Sequence, residues 1–271
     1  MYDKIFHPKE VVLPNGKTVL EKRSRTPLVL LLIIVALIIS VNFTNFNLKI
    51  LVQRIDEFFK IIAQMVPPKW SSFSGIWRSL VSTLQMSLVG SMIGALLSIP
   101  FAVLASSNIV RSKTVVVVFK VILSLFRTLP TLVVALIATF VFGLGPTAGI
   151  IAILLFTLSY VGKLLYEQIE NADMGPFEAM ESIGMTRIQA FRYAIFPQVL
   201  PGFLSTSLFC FEGNVRYAAI LGYVGAGGIG LLINENIGWR DYSGLGMIIL
   251  ALVVTVYLIE TVSEHFRKKL I

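Results

Sequence analysis

Long stretches without a charged side chain constrain this sequence more than any other feature. The segments 26–48 and 80–110 carry no charge at all, and 114–162 is apolar apart from Lys120 and Arg127. Since a helix needs about 20 mostly apolar residues to cross a bilayer, each segment is long enough to span one. Only 14% of all residues are charged, whereas soluble domains carry about a quarter. The sequence therefore predicts an all-α integral membrane protein.

The apolar pattern predicts six transmembrane helices. The stretch 114–162 is too long for one helix, and Gly143-Leu144-Gly145-Pro146 divides it because glycine and proline both interrupt helices. The expected spans are 27–48, 80–110, 114–142, a fourth ending near Tyr166, 196–221 and 242–262. The expected organisation is a tail 1–26, a first helix 27–48, a linker 49–78, a core 79–265 of five helices containing an amphipathic segment 167–195, and a tail 266–271.

Lysine and arginine are concentrated in segments that six spans place on one side of the membrane. These segments are the N-terminal tail, the turn with Arg111 and Lys113, and Arg267-Lys268-Lys269. Because cytoplasmic segments carry an excess of these residues, we expect both termini to be cytoplasmic. The net charge of +8 is not accompanied by a nucleic-acid-binding motif, so a nucleic-acid partner is not expected. The expected surroundings are the lipid bilayer.

The linker 49–78 lies on the outer side in this layout. Its apolar residues recur at helical spacing: Ile55, Phe58, Phe59, Ile61, Ile62 and Met65. This spacing fits a helix that lies on the membrane interface. The more ordinary interpretation is a helix packed on the protein surface, and the sequence leaves both open.

The segment 167–195 carries helix start and stop signals on the cytoplasmic side. Pro176 can occupy the first turn of a helix, and Gly184 is a natural C-terminal stop. Thr186 with Gln189 forms a capping box for a second helix. We expect two short helices that offer a partly apolar surface to a partner.

One motif in this segment resembles the E-A-A-x-x-x-G signature of ABC importer permeases. It comprises Glu178, Ala179 and Met180, then three residues and Gly184, with Met180 in place of the second alanine. In that family the motif belongs to the coupling helix, which docks in a cleft on the cytoplasmic ATPase. The alternative is an ordinary amphipathic surface helix.

Several further stretches resemble phosphonate-importer permeases in particular. They are Thr83-Leu84-Gln85-Met86-Ser87, Phe126-Arg127-Thr128-Leu129-Pro130, Pro197-Gln198-Val199-Leu200-Pro201, Asn214-Val215-Arg216 and the glycine-rich run 225–230. The resemblance implies a methionine-importer-like type I ABC permease fold in a bacterial cell membrane. It also implies a second permease copy, two cytoplasmic ATPase subunits and an extracytoplasmic substrate-binding protein. The implied substrate is phosphonate, phosphite or a similar small anion, and a sister importer for methionine or another small solute is the alternative.

The glycines Gly225, Gly227, Gly228 and Gly230 match the G-x-G-x-x-G pattern of dinucleotide-binding turns. The pattern lacks the preceding strand and the βαβ context that such a site requires. We expect these glycines to form tight turns beside the outer mouth of the pathway, because glycine adopts left-handed backbone conformations freely. The chain also lacks the G-x-x-x-x-G-K-[ST] phosphate loop, so ATP hydrolysis is assigned to a partner subunit.

Arg127, Glu212 and Arg216 lie within or near the expected spans, where a charge costs about 3 kcal/mol or more and normally faces protein or water. Glu212 and Arg216 are four residues apart and can pair on one helical face. The pair either fixes helix packing, or Arg216 contributes positive potential to the path of an anion. Arg127 has the same two interpretations, with a brace at Pro130 as the packing role. These three and Asn214 are the candidate pathway residues.

Two other classes of membrane protein fit the sequence less well. An ion-coupled secondary transporter predicts acidic or histidine relays within the spans, as well as inverted repeats. Beyond Glu212 the sequence offers no such residue, and His7 and His265 are near the termini. A membrane-embedded enzyme needs clustered His, Asp and Glu or a nucleophile with its base, and we recognise neither. We expect no catalytic residue, no bound metal and no cofactor.

Overall fold

The computed structural model describes residues 9–12, 16–21, 26–44 and 46–270. Nearly all of them are helical. The chain forms two compact units, Met1–Lys60 and Ile61–Ile271.

The first unit contains a short hairpin and a helix. Strands β1 (Lys9–Val12) and β2 (Thr18–Glu21) pair antiparallel, with Lys9 opposite Glu21. The sequence analysis did not anticipate this hairpin. Helix α1 (Thr26–Phe43) has no charged residue and matches the first expected span, but it ends five residues early. Asn42, Thr44 and Asn47 explain the early end, because such side chains compete for backbone hydrogen bonds.

Helix α2 (Leu48–Gln64) follows directly and occupies the expected linker. The Asn47 side chain accepts a hydrogen bond from the Lys49 N–H at 3.0 Å and so starts the helix. The apolar residues fall on one face and the charged ones on the other, as the spacing predicted. All residues from Leu48 to Gln64 are exposed.

The second unit is a bundle of long helices joined by short ones. Three short non-α segments adjoin these helices, Trp70–Ser72, Phe191–Ile195 and Gly222–Val224. The α-helices are α3 (Phe73–Ala105), α4 (Lys113–Thr128), α5 (Thr131–Phe142), α6 (Pro146–Glu170), α7 (Gly175–Ser182), α8 (Arg187–Ala190), α9 (Phe196–Leu221), α10 (Ile229–Gly238) and α11 (Tyr242–Leu270).

Five helical segments in the described residues are long and apolar enough to cross a membrane. They contain α1, α3, α6, α9 and α11, and the bent pair α4 and α5 gives a sixth if it is counted as one span. The multi-pass expectation is therefore confirmed. The third span is not the continuous helix that we expected, because α4 and α5 meet at 89°. Leu129 is extended (ψ 122°), the conformation that a following proline favours, and Pro130 begins the new direction.

Other boundaries differ from the expected ones for local reasons. Helix α3 ends at Ala105 rather than near residue 110. At this observed end, the Ser106 hydroxyl donates a hydrogen bond back to the Ala102 carbonyl. Helix α11 runs through the expected tail 266–271 as far as Leu270. The cations of its last turn favour the carbonyl end of a helix, and Lys268 pairs with Glu264 at 2.7 Å. Helix α9 has the expected bounds, whereas α10 was not expected.

Asp241 organises the start of α11. Its Oδ1 accepts hydrogen bonds from the Gly244 N–H and the Ser243 hydroxyl, both at 2.9 Å, and Lys69 lies 3.5 Å from its Oδ2. These bonds, chiefly the one from Gly244, lower the pKa of Asp241. A carboxylate with a lowered pKa stabilises the fold at neutral pH, and that contribution is lost as the pH falls through the lowered pKa.

Helices α3 and α6 approach each other closely at two glycines. A Cβ added to Gly94 would lie 2.7 Å from the Leu154 carbonyl oxygen, and one added to Gly90 would lie 2.8 Å from the Ile153 side chain. Lipid provides no hydrophobic drive for helices to associate, so small residues that let backbones approach closely supply the packing.

We therefore expect Gly94→Ala to destabilise the protein. The added methyl group meets backbone that cannot rotate away, and overpacking costs about 1–3 kcal/mol. The measurement is the midpoint of thermal unfolding of the detergent-purified protein. The control is Gly75→Ala at the exposed start of α3, where a Cβ meets nothing within 4 Å. Equal midpoints for the two variants would contradict the assigned contact.

Candidate functional site

The expected pair of short helices is confirmed in the segment 167–195. Helix α7 ends just before Gly184, which has a positive φ of 92°. The Met185 N–H donates back to the Met180 carbonyl at 3.1 Å, which closes the turn. The Thr186 capping box with Gln189 is present and starts α8. We refer to α7, this turn and α8 as the coupling segment, after the role that the sequence resemblance implies.

The coupling segment is anchored to the bundle by one buried side chain and one arginine. Phe177 is 1% exposed and packs in a core cluster with Ile169 and Ile195. Arg187 pairs with Glu181 at 2.9 Å and donates to the Ile109 carbonyl at 2.6 Å. Because Ile109 lies in the turn between α3 and α4, Arg187 bonds the coupling segment to two transmembrane helices. The sequence analysis missed Arg187, whose role depends on a contact between distant parts of the chain.

One face of the coupling segment is exposed to solvent and is free to contact a partner protein. Glu178, Ala179 and Gly184 are exposed, whereas Met180 is half-buried against the core. Two large apolar side chains, Ile183 and Ile188, are 75% and 82% exposed. Exposed apolar residues rimmed by polar ones are typical of interaction sites.

Glu212 is the centre of an ion-pair network between α9 and α11. Its side chain is 5% exposed and accepts a hydrogen bond from Arg216, the partner that the four-residue spacing predicted. Arg267 from the end of α11 lies 3.6 Å from the other carboxylate oxygen, a contact that the sequence did not reveal. Arg216 is half-exposed and also approaches Glu260 at 3.8 Å.

Asn214 lies in the interior of the bundle. Its side chain is 1% exposed, and its Nδ2 donates to the Ser91 and Thr157 hydroxyls at 2.8 Å each. These bonds connect α9 to α3 and α6. Arg127 belongs to neither group and lines a small cavity between α4 and α6.

The glycine-rich run forms the turn between α9 and α10. Gly225, Gly227 and Gly228 have positive φ between 73° and 80°. The Ile229 N–H donates to the Thr83 hydroxyl of α3 at 2.7 Å. The Gly145 N–H donates to the Gly225 carbonyl at 2.9 Å. This turn thereby connects α10 to α3 and to the turn between α5 and α6.

Gly230 lies where two backbones touch. A Cβ on this residue would come 2.1 Å from the Ala219 carbonyl oxygen, so any side chain there would clash. Among the described residues, no group of three or more His, Cys, Asp and Glu side chains could hold a metal ion.

Residues 94–271 match a family model described as the binding-protein-dependent transport system inner membrane component. The phosphite transport system permease protein PtxC of Stutzerimonas stutzeri is 31% identical over 80% of this chain and 79% of its own length. The phosphate-import permease protein PhnE of Mycolicibacterium smegmatis is 32% identical over 81% of this chain and 41% of its own length.

Among solved structures, the fold resembles a chain of the MetNI methionine ABC transporter in an inward-facing conformation. The TM-score is 0.67, and the match covers 75% of this chain and 99% of that one at 22% identity. A likeness at this identity concerns the fold, and it confirms the expected methionine-importer-like architecture.

The hydrogen bond from the Ile229 N–H to the Thr83 hydroxyl can be tested by substitution. Thr83→Val keeps the side-chain shape but leaves the Ile229 N–H without its partner, which costs about 1–3 kcal/mol for a buried group. Thr255→Val is the matched control, because the Thr255 hydroxyl bonds only to the Ala251 carbonyl in its own helix. We expect the thermal unfolding midpoint to fall for Thr83→Val and to change little for the control. A midpoint for Thr83→Val equal to that of the control would refute this.

Proposed function

This chain belongs to the family of binding-protein-dependent transport system inner membrane components, and from that membership we propose that it is the permease subunit of an ATP-driven importer of small phosphorus oxyanions. The similarity to permeases named for phosphite and phosphate transport carries this proposal. Phosphonate, which the sequence resemblance implied, belongs to the same chemical class.

The permease works with partners that supply the energy and the substrate. We assign ATP hydrolysis to two cytoplasmic ATPase subunits and substrate delivery to an extracytoplasmic binding protein. A second permease copy completes the pathway. ATP-driven movement of the ATPases opens the pathway alternately to the two sides of the membrane.

The coupling segment is the proposed contact with the ATPase. Ile183, Ile188 and the exposed Glu178 provide an apolar surface with a charged edge. Arg187 connects this surface rigidly to the turn between α3 and α4 through the Ile109 carbonyl. A displacement of the coupling segment is thereby passed to the transmembrane helices, since coupling between distant sites requires contiguous rigid elements.

The proposed orientation places the coupling segment and both termini in the cytoplasm of a bacterial cell. The cations in the last turn of α11 and those at Arg111 and Lys113 support this, because such residues concentrate on the cytoplasmic side. The glycine-rich turn between α9 and α10 then lies on the extracytoplasmic side of the membrane, where we propose that it forms part of the outer gate.

Helix α2 is proposed to lie on the outer membrane interface. Its apolar face exposes Ile55, Phe58 and Phe59, and its opposite face carries Glu57 and Lys60. A helix with one strongly apolar and one charged face binds at the boundary between headgroups and acyl chains.

Loss of the gene should impair growth on phosphite, phosphate or a phosphonate as the limiting phosphorus source. The physical reason is that these charged solutes do not cross the bilayer unaided. The measurement is growth of the deletion strain against a strain complemented with the intact gene. Normal growth on all three, together with lost uptake of methionine or another solute, would instead indicate a sister importer.

Gly184→Val should abolish uptake while leaving the protein in the membrane. A β-branched residue strains the left-handed conformation at Gly184, so the turn between α7 and α8 reorganises and ATPase association weakens. Glu178→Lys should produce a similar defect, by reversing a charge on the docking surface. The measurements are membrane abundance, co-purification of the ATPase and uptake in vesicles.

Gly75→Val is the matched control for the glycine substitution, since Gly75 is exposed and its φ is not positive. Glu57→Lys on α2 is the control for the charge reversal. Transport by Gly184→Val complexes at the wild-type rate would show that the coupling assignment is wrong.

A further inference from the structure

A small cavity between α4 and α6 is lined by three cationic side chains. Its volume is about 50 Å³, and its lining residues are Lys120, Leu123, Ser124, Arg127, Lys163 and Tyr166. Ser124 and Tyr166 add hydroxyl groups to the lining. Neither the coupling segment nor the Glu212 network contributes to it.

The charges around this cavity do not balance. Glu170 forms an ion pair with Lys120 at 2.9 Å, and Glu167 forms one with Lys163 at 3.3 Å. Within the described part of the chain, the Arg127 guanidinium has no ion pair and no hydrogen bond. Three cations therefore face two carboxylates, which leaves one uncompensated positive charge.

Arg127 lies too deep to be explained as a flanking cation. At 1.5 Å per residue, it is roughly 21 Å along α4 from Lys113, in a hydrocarbon layer about 30 Å thick. A charge at that depth is costly and normally faces water or protein. The Pro130 brace that the sequence left open is not formed by a hydrogen bond, since Arg127 donates to no described residue.

The cations lie on one stripe of an otherwise apolar helix. Lys120, Ser124 and Arg127 are spaced by four and three residues and so share a face of α4. The opposite side of this helix exposes Val118 and Leu125, as expected for residues that contact lipid. A charged stripe on such a helix is expected to face water or protein rather than the bilayer.

The cavity matches a small tetrahedral oxyanion in size and chemistry. Its volume of about 50 Å³ exceeds the roughly 10–15 Å³ that a cavity needs to hold one water, so it admits a small polar group rather than a large solute. A guanidinium group can donate two parallel hydrogen bonds to such an anion, and the ammonium groups add charge. An amino acid with a long side chain would not fit within this volume.

We propose that this cavity is an oxyanion-binding site on the transport pathway within the membrane, with Arg127 and Lys163 as its main ligands. The proposal rests on the proposed function, because it assigns a transient site to the same cargo. Glu167 and Glu170 compete with the cargo for the lysines, which keeps binding weak. Weak binding is what a transport pathway needs, because a conduit must release what it holds.

Binding to the complex of permease and ATPase, purified without the binding protein, tests the site directly. The probes are radiolabelled inorganic phosphate and phosphite in equilibrium dialysis. We expect Arg127→Gln and Lys163→Gln each to weaken binding by roughly tenfold or more, as the loss of a charged hydrogen bond predicts. Arg127→Lys should restore part of the binding. Lys268→Gln, an exposed cation at the end of α11, should bind within about twofold of the wild type.

Two readouts separate anion binding from a role in helix packing. If Arg127 only braces α4, then Arg127→Gln lowers the thermal unfolding midpoint and leaves anion binding unchanged, and that result overturns the proposal. Absence of phosphate and phosphite binding by the wild-type complex overturns it as well. In vesicles supplied with the binding protein, we expect Arg127→Gln to lose uptake, whereas Lys268→Gln should retain uptake within about twofold of the wild type.

The failure of this site and the failure of the proposed function give different results. A growth defect of the deletion strain on phosphorus oxyanions, with normal binding and uptake by Arg127→Gln, would leave the function standing and remove the site. Oxyanion binding that depends on Arg127, without any growth defect, would support the site and remove the proposed substrate.

Discussion

The close contact between α3 and α6 is the interaction on which the rest of the bundle depends. Gly90 and Gly94 allow the two backbones to meet, and the Asn214 side chain then bridges both helices from α9. In lipid, van der Waals packing and hydrogen bonds between helices replace the hydrophobic drive that folds soluble proteins. Because this contact sets how α6 is rotated, it also determines that Lys163 and Tyr166 face α4.

Several charged side chains in the bundle form ion pairs. Glu212 is paired with two arginines from α9 and α11, and Lys120 is paired with Glu170. Each of these arrangements holds two helices, or two turns of one helix, together. Arg127 has no such partner among the described residues, which sets it apart from the charges that stabilise packing and suits it to contact a mobile anion.

The coupling segment and the transmembrane helices form one mechanical unit. Arg187 and Phe177 attach the segment to the bundle from two sides, so that it cannot move alone. On its solvent-exposed face, Ile183 and Ile188 are free to contact a partner protein. At the opposite end, the glycine turn is bonded to α3 and to the turn before α6. Helix α3 is thus connected both to the coupling segment and to the glycine-rich turn, the two segments that we propose to move during transport.

The sequence by itself determined the features that depend on solvent or on neighbouring residues. The number of apolar segments, the bounds of α9, the Thr186 capping box and the pairing of Glu212 with Arg216 all follow from local spacing. Only the tertiary structure decided the 89° size of the bend at Pro130, the bond from Arg187 to Ile109, and the meeting of Lys120, Arg127 and Lys163. The reason is geometric: which side chains meet across two helices depends on the rotation and depth of each helix. Packing of small residues far apart in the chain sets that rotation and depth.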